Sequence, residues 1–141
     1  MYKRQAFVAF SPVARAFLTG TLDDVSDLGP KDIRRSMPRF EPANHAANLS
    51  LLPAWKALAA EAGCTPAQLS LAWLLARGEH VIPIPGTTSR VHLKENLGAA
   101  TVSPSADLVA RIDALFDPAR IAGNRYGAQS QVEVDTEQFG G

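Results

Sequence analysis

The chain has 141 residues, enough for one domain with a real core, and 46% of them are apolar, an ordinary share for a globular protein. Lys plus Arg and Asp plus Glu each total 14, so the formal net charge is zero. That balance excludes nucleic acid as a partner, because phosphate binding needs a basic excess or stripe, and the densest basic cluster (Lys31, Arg34, Arg35, Arg39) is small and interrupted by Asp32.

Residues 6–10, Ala-Phe-Val-Ala-Phe, form a short apolar run without alternation, stopped by Ser11-Pro12. Such a run predicts a strand buried on both faces, as in a parallel sheet, and is too short for the apolar core of a signal peptide. Residues 11–47 carry Pro12, Gly20, Gly29, Pro30, Pro38 and Pro42 and read as a long punctuated loop with one short helical turn near 30–36. Long loops inside compact domains are usually functional. From about Asn48 to Ala62, Leu52, Trp55, Leu58, Ala59 and Ala62 recur at helical spacing, with Pro53 in the first turn and Gly63 as the C-terminal cap. A second helix starts at Thr65, with Pro66 at its first position and Gln68 completing a capping box. Leu69, Ala72, Trp73 and Ala76 form its apolar face, and it ends by Gly78.

His80 to Ile84 predicts a second short strand whose ladder ends about Pro83. A helix follows from about Ser89 to Ala99, and another from Ser103 as N-cap with Pro104 at its first position, its apolar face made by Leu108, Ile112 and Leu115. Residues 118–141 read as an irregular tail. The order is strand, long loop, helix pair, strand, short loop, two helices and tail, which is βα repetition with only two strands. Two parallel strands do not make a stable sheet alone, so their bare edges predict self-association or pairing with another chain.

The remaining polar residues offer little chemistry of their own. The single Cys64 can form neither an intramolecular disulfide nor a Cys-based metal cage, and it follows a helix end where thiols are usually inert. A reducing compartment follows from this. His45, in the long loop, His80, at a strand start, and His92 show no metal-ligand spacing, so no metal site is expected. No serine sits in a nucleophile elbow. Trp55 and Trp73 lie on apolar helix faces and read as core. No stretch is long enough to span a membrane, and a cytoplasmic location is expected.

Two segments stand out. Phe10-Ser11-Pro12-Val13-Ala14-Arg15-Ala16-Phe17-Leu18-Thr19-Gly20 follows directly on a buried strand, where small and polar groups can approach a ligand. Alone it reads equally as a turn with a stray arginine. Ile82-Pro83-Ile84-Pro85-Gly86-Thr87-Thr88-Ser89-Arg90-Val91-His92-Leu93-Lys94-Glu95-Asn96 runs from a strand through Pro-Gly into hydroxyl residues at a helix start. Free N–H groups and the helix dipole suit an anion there, although a helix cap without a ligand is the commoner outcome.

In this order and spacing the two segments resemble the aldo-keto reductases. In that family the strand-7 loop usually reads Tyr-Ser-Pro-Leu-Gly-Arg-Gly-Phe-Leu-Thr-Gly, and the strand-8 segment reads Ile-Pro-Gly-Thr with Glu-Asn two helical turns on. Residues 65–75 are similar to the family's penultimate barrel helix, and Gly123-Asn124-Arg125-Tyr126 to its C-terminal segment. The resemblance covers residues 6 to about 128.

It implies an α/β fold, a single partial domain over 1–141 that forms the C-terminal part of a (β/α)8 barrel, with two strands and about four helices. A whole barrel takes about 250 residues, so it also implies a truncated chain or a false start. The implied activity is NAD(P)H-dependent reduction of aldehydes or ketones by hydride transfer, with this chain supplying the cofactor part. Carried over by position, Phe10 would stack on the nicotinamide ring in place of the usual tyrosine. Ser11, Pro12, Val13 and Arg15 would border the pyrophosphate. Gly86, Thr87, Thr88 and Ser89 would lie by the ribose and its 2′-phosphate, with Arg90 as the only fixed charge there. His92 would lie against the adenine, and Glu95 and Asn96 would hold its edge. Many members carry Lys or Arg after the Thr, so the neutral Thr88-Ser89 leave NAD(H) open beside NADP(H). Ala14 and Ala16 replace usual glycines. The family's catalytic tyrosine, lysine, aspartate and histidine lie on earlier strands, and neither Tyr2 nor Tyr126 has the required context, so no catalytic residue is assigned. A small carbonyl substrate is implied only where the full barrel exists. A non-catalytic dinucleotide-binding module and a strand-pairing interaction protein remain as alternatives.

Overall fold

The computed structural model describes residues 5–132. The two predicted strands are present and parallel: β1 (Phe7–Ala9) pairs with β2 (Val81–Pro83) in the register Phe7 to Val81, Val8 to Ile82 and Ala9 to Pro83. The ladder is extended at both ends, where Phe7 N donates to His80 O at 2.6 Å and Ile84 N donates to Ala9 O at 3.1 Å.

Between the strands run α1 (Pro42–Leu49), α2 (Leu52–Glu61) and α3 (Pro66–Leu75). After β2 come α4 (Arg90–Gly98), α5 (Ala106–Leu115) and a short α6 (Ala128–Gln131). The core lies between α2, α3 and α5, where Leu52, Trp55, Leu58, Ala59, Leu69, Leu108, Ile112 and Leu115 pack together. Trp55 is only 1% exposed, its indole N–H donates to Leu18 O at 2.8 Å, and Phe116 meets it edge-on at 5.3 Å. The polar handle of this tryptophan therefore anchors the loop after β1, a usual arrangement for a buried indole.

Several expectations are corrected. Residues 42–49 are helical, not loop, and His45 belongs to α1, where it is buried. Pro42 starts the helix, because proline at a first helical position has no N–H to waste. The helix expected to start near Pro53 does so, as α2, with Pro53 in its first turn; Asn48 and Leu49 belong instead to α1, which ends before the proline. Gly63 stands one residue beyond the α2 C-cap, Ala62, with φ 67. Ser105, not Ser103, caps α5 and accepts from Leu108 N at 3.1 Å, so Pro104 precedes the helix. Phe7 and Val8 are 61% and 52% exposed, because a strand with one neighbour and no second layer over it buries only Ala9. Trp73 is half-buried: its indole N–H donates to Asp113 Oδ1, Arg77 stacks on its ring at 4.2 Å and also pairs with Asp113.

The segment after Asp117 has more order than the sequence suggests. A 3₁₀ turn spans Pro118–Arg120, and Asn48 and Ala122 exchange two hydrogen bonds: Asn48 Nδ2 donates to Ala122 O at 3.0 Å and Ala122 N donates to Asn48 Oδ1 at 2.9 Å. Tyr2 and tail residues 133–141 lie outside the described residues.

Candidate functional site

The two segments singled out in the sequence face each other across an open groove of about 600 Å³. One wall is the loop after β1. Ser11, Ala14, Arg15 and Ala16 all take left-handed backbone, with φ of 51, 49, 54 and 74. That conformation is rare for residues with a Cβ, and here it folds the chain back at once. Ala14 N donates to Ser11 O at 2.9 Å, Leu18 N to Val13 O at 3.2 Å, and a 3₁₀ turn follows at Phe17–Thr19.

The opposite wall is the turn after β2 and the first turns of α4. Ser89 caps α4, its hydroxyl accepting from His92 N at 3.4 Å, while Thr87 Oγ1 accepts from Ser89 N at 3.1 Å. A helix start has orphan N–H groups at its first positions. These two caps leave those of Arg90 and Val91, aligned with the positive end of the helix dipole.

Helix α3 fastens the two walls together. Its buried Ser70 donates to Pro12 O at 2.5 Å, and Gln68 Nε2 donates to Glu95 O at 3.0 Å. The same Gln68 closes the capping box on Thr65, with Thr65 N donating to Gln68 Oε1 at 3.1 Å and Gln68 N to Thr65 Oγ1 at 3.1 Å. Gly98 leaves room for the Gln68 amide, since a Cβ there would sit 2.5 Å from Nε2 and displace it from Glu95 O. Helix start, loop wall and α4 wall are thus set by a single turn of α3.

Of the residues expected at the site, Ser11, Pro12, Val13, Arg15, Gly86, Thr87, His92, Glu95 and Asn96 line this groove. Phe10, Thr88, Ser89 and Arg90 do not. Thr88 is exposed, and Arg90 is the exposed first residue of α4. Phe10 is 49% exposed, borders a second cavity of about 380 Å³ beside Trp55, Ile112 and Phe116, and carries the Arg125 guanidinium 4.7 Å from its ring centroid.

Arg34 is the main groove residue that sequence reasoning missed; Thr19, Thr21, Ile33 and Ala67 also line it. Arg34 Nη1 donates to Arg15 O at 3.2 Å, and its Nε and Nη2 bind the two oxygens of Asp32 at 2.9 and 2.7 Å. Hydrogen bonds from the Arg34 side chain and then from its backbone N–H hold the Asp32 carboxyl down to about 2, and the same pair raises the guanidinium. The available signal was the Lys31–Arg39 cluster, in which Asp32 and Arg34 are two apart. Arg15 lies 5.7 Å from the ring centroid of Tyr126. The Arg125 guanidinium lies 5.6 Å from the same ring centroid. Burial pushes the Cys64 thiol up, away from reactivity.

Chemically, the groove offers the Arg15 guanidinium, the Arg34 guanidinium already paired with Asp32, hydroxyls, and the Glu95 carboxylate and Asn96 amide, with the backbone donors that head α4 beside it. That set can take a long, polar, anionic ligand with hydrogen-bonding ends. Among the described residues no group of three or more His, Cys, Asp and Glu side chains could hold a metal ion, and no helix is long and apolar enough to cross a membrane.

Comparison with known proteins gives the family context. The profile of the aldo/keto reductase family matches residues 5–117. An NADP(+) aldo-keto reductase of Schizosaccharomyces pombe, yakc, is 41% identical over 131 residues, covering 92% of this chain and 38% of its own length. The aldo-keto reductase str7 of Strobilurus tenacellus is 34% identical over 132 residues, covering 94% of this chain and 39% of its own. Among solved structures, the glycerol dehydrogenase of Gluconobacter oxydans superposes with a TM-score of 0.68 at 22% identity, over 86% of this chain and 36% of that one, which is a likeness of fold. The chain therefore spans less than two-fifths of the curated relatives it matches.

Proposed function

The chain belongs to the aldo/keto reductase family, its fold being part of that family's (β/α)8 barrel, and from that premise we propose that it supplies the cofactor-binding part of an NADP(H)-dependent oxidoreductase acting on aldehydes or ketones in the cytoplasm. The observation that carries this reading is the groove, whose walls are the loops after the chain's two strands, held together by Ser70 and Gln68 of α3. Barrel enzymes place phosphate sites in the loops after their last two strands.

The residues present fit a nicotinamide dinucleotide. Arg15 and Arg34 line the groove, and the free N–H groups of Arg90 and Val91 head α4. In this reading Ser11, Pro12, Val13 and Arg15 border the pyrophosphate, and Arg34, already paired with Asp32, holds the Arg15 carbonyl in the wall. Gly86, Thr87, Thr88 and Ser89 flank the ribose carrying the 2′-phosphate. His92 lies against the adenine, and Glu95 and Asn96 accept and donate at its edge. Phe10 borders the adjoining cavity and not the groove itself, so the nicotinamide would reach its free ring face by extending past Ser11 and Pro12, which line both. The bound cofactor would supply a hydride for a carbonyl carbon; the described residues orient it and exclude water from one side of it.

NADP(H) over NAD(H) rests on the yakc likeness and on Arg90 as the fixed cation by the 2′-phosphate. Charge-assisted hydrogen bonds are worth about 1.5–3 kcal/mol, so Arg90→Ala is expected to weaken NADPH binding roughly tenfold or more while leaving NADH unchanged. Calorimetric titration of both cofactors checks this, and equal losses for the two would remove Arg90 from the phosphate. A second reading, pairing of the sheet with further strands, is favoured by the exposure of Phe7, Val8 and Ile82.

A further inference from the structure

Phe10 has one ring face already occupied. The Arg125 guanidinium lies 4.7 Å from its centroid, and none of the described carboxylates forms a salt bridge with Arg125. The segment that carries this arginine is fixed from several sides. Buried Asn48 pairs with both backbone groups of Ala122, and Arg39 Nε donates to Gly123 O at 3.2 Å. Gly123 holds φ 82, and a Cβ on it would stand 2.9 Å from the Pro38 carbonyl carbon, so only glycine lets the chain pass so close. Arg125 is therefore delivered to Phe10 by a built anchor, not by a loose tail.

We propose that Arg125 is a positioning residue that sets the redox preference of the cofactor site, bracing the Phe10 ring from one face and disfavouring a cationic nicotinamide on the other. The inference rests on the reading above that Phe10 carries the nicotinamide. A cation on one face of a benzene ring draws π density toward itself and leaves the opposite face poorer. The oxidised nicotinamide ring is a cation and needs that density; the dihydronicotinamide ring is neutral and does not. Direct repulsion between the guanidinium and the oxidised ring acts in the same direction. Arg125 thus favours the reduced cofactor, the form that a carbonyl reductase must hold.

The test uses the full chain and titrates NADPH and NADP⁺ against wild type, Arg125→Met and Arg125→Lys. The Met variant keeps the length and loses the charge. It is expected to shrink the NADPH-over-NADP⁺ preference about threefold to tenfold, chiefly by tightening NADP⁺, and the Lys variant to retain most of the preference. A cofactor-free readout accompanies it: in thermal melts, Arg125→Met should destabilise the wild type more than it destabilises a Phe10→Leu background. Equal loss of affinity for both cofactor forms, an unchanged preference, or additive melts would overturn the inference while leaving the groove's reading intact. A wild-type chain that binds neither dinucleotide defeats both.

Discussion

Ala14 and Ala16 show how single residues bear on the groove. Both stand in left-handed backbone, with φ 49 and 74, where their Cβ atoms cost about 1–2 kcal/mol each. Glycine removes that cost but loosens the unfolded chain by about 0.4–1 kcal/mol. Ala16→Gly should therefore stabilise the protein by up to about 1 kcal/mol, read as a higher urea midpoint. A lower midpoint would mean that the loop is not strained. His45 presents a second residue-scale cost, since its buried Nε2 has no hydrogen-bond partner between Phe17 and Phe40. An apolar replacement removes an unsatisfied polar atom, so His45→Leu should be neutral or slightly stabilising. Asp32 works in the other direction. Its carboxyl falls from 3.8 to about 2 on folding, so its contribution is complete above the higher value and vanishes as pH drops through the lower. Asp32→Asn should flatten the acid loss of stability between about pH 4 and 2, measured by melts across that window.

The helices divide by how local their signals are. The capping box Thr65–Gln68 could be read from four consecutive residues, and the structure reproduces it hydrogen bond for hydrogen bond. Thr65→Ala is expected to cost about 1 kcal/mol. Gln68→Ala should cost more than the cap alone, because Gln68 also holds Glu95 O, and should weaken cofactor binding by loosening the α4 wall. Helix α1 was hidden because Pro42 looks like loop punctuation and its buried residues, His45 and Asn48, are both polar, Asn48 finding its partner 74 residues away in Ala122. Nothing local marks such a pairing. Asn48→Ala should cost about 1–2 kcal/mol by removing two hydrogen bonds to the half-buried backbone of Ala122, whereas a surface asparagine would cost little. The shift of the α5 cap from Ser103 to Ser105 has a similar origin. Both serines suit a cap, and the choice depends on seating Leu108, Ile112 and Leu115 in the core.

At the scale of the whole molecule, the two short parallel strands were legible because apolar runs are sequence-local, whereas the meeting of their following loops in one groove was implied only by the family resemblance, each loop alone reading as well as a turn or an unliganded cap. The contribution of Arg34 to the groove and of Arg125 to Phe10 was not, since each arrives from a loop or tail whose path tertiary contacts decide. The exposure of Phe7, Val8, Ile82 and Ile84 leaves an apolar sheet surface open. In solution the 141-residue chain should self-associate through it, and Val8→Lys should disperse it by placing a charge on the strand. Sedimentation velocity decides; a monomeric wild type at high concentration would contradict the pairing.

If the groove holds a nicotinamide dinucleotide, the cofactor must alter amide hydrogen exchange along its walls, which is measured with and without NADPH. Bound NADPH should slow exchange in residues 10–19, 33–34 and 84–96, the groove and its margin, and leave the core of α2 and α5 unchanged. Protection at the sheet edge alone, or none at saturating cofactor, would contradict it.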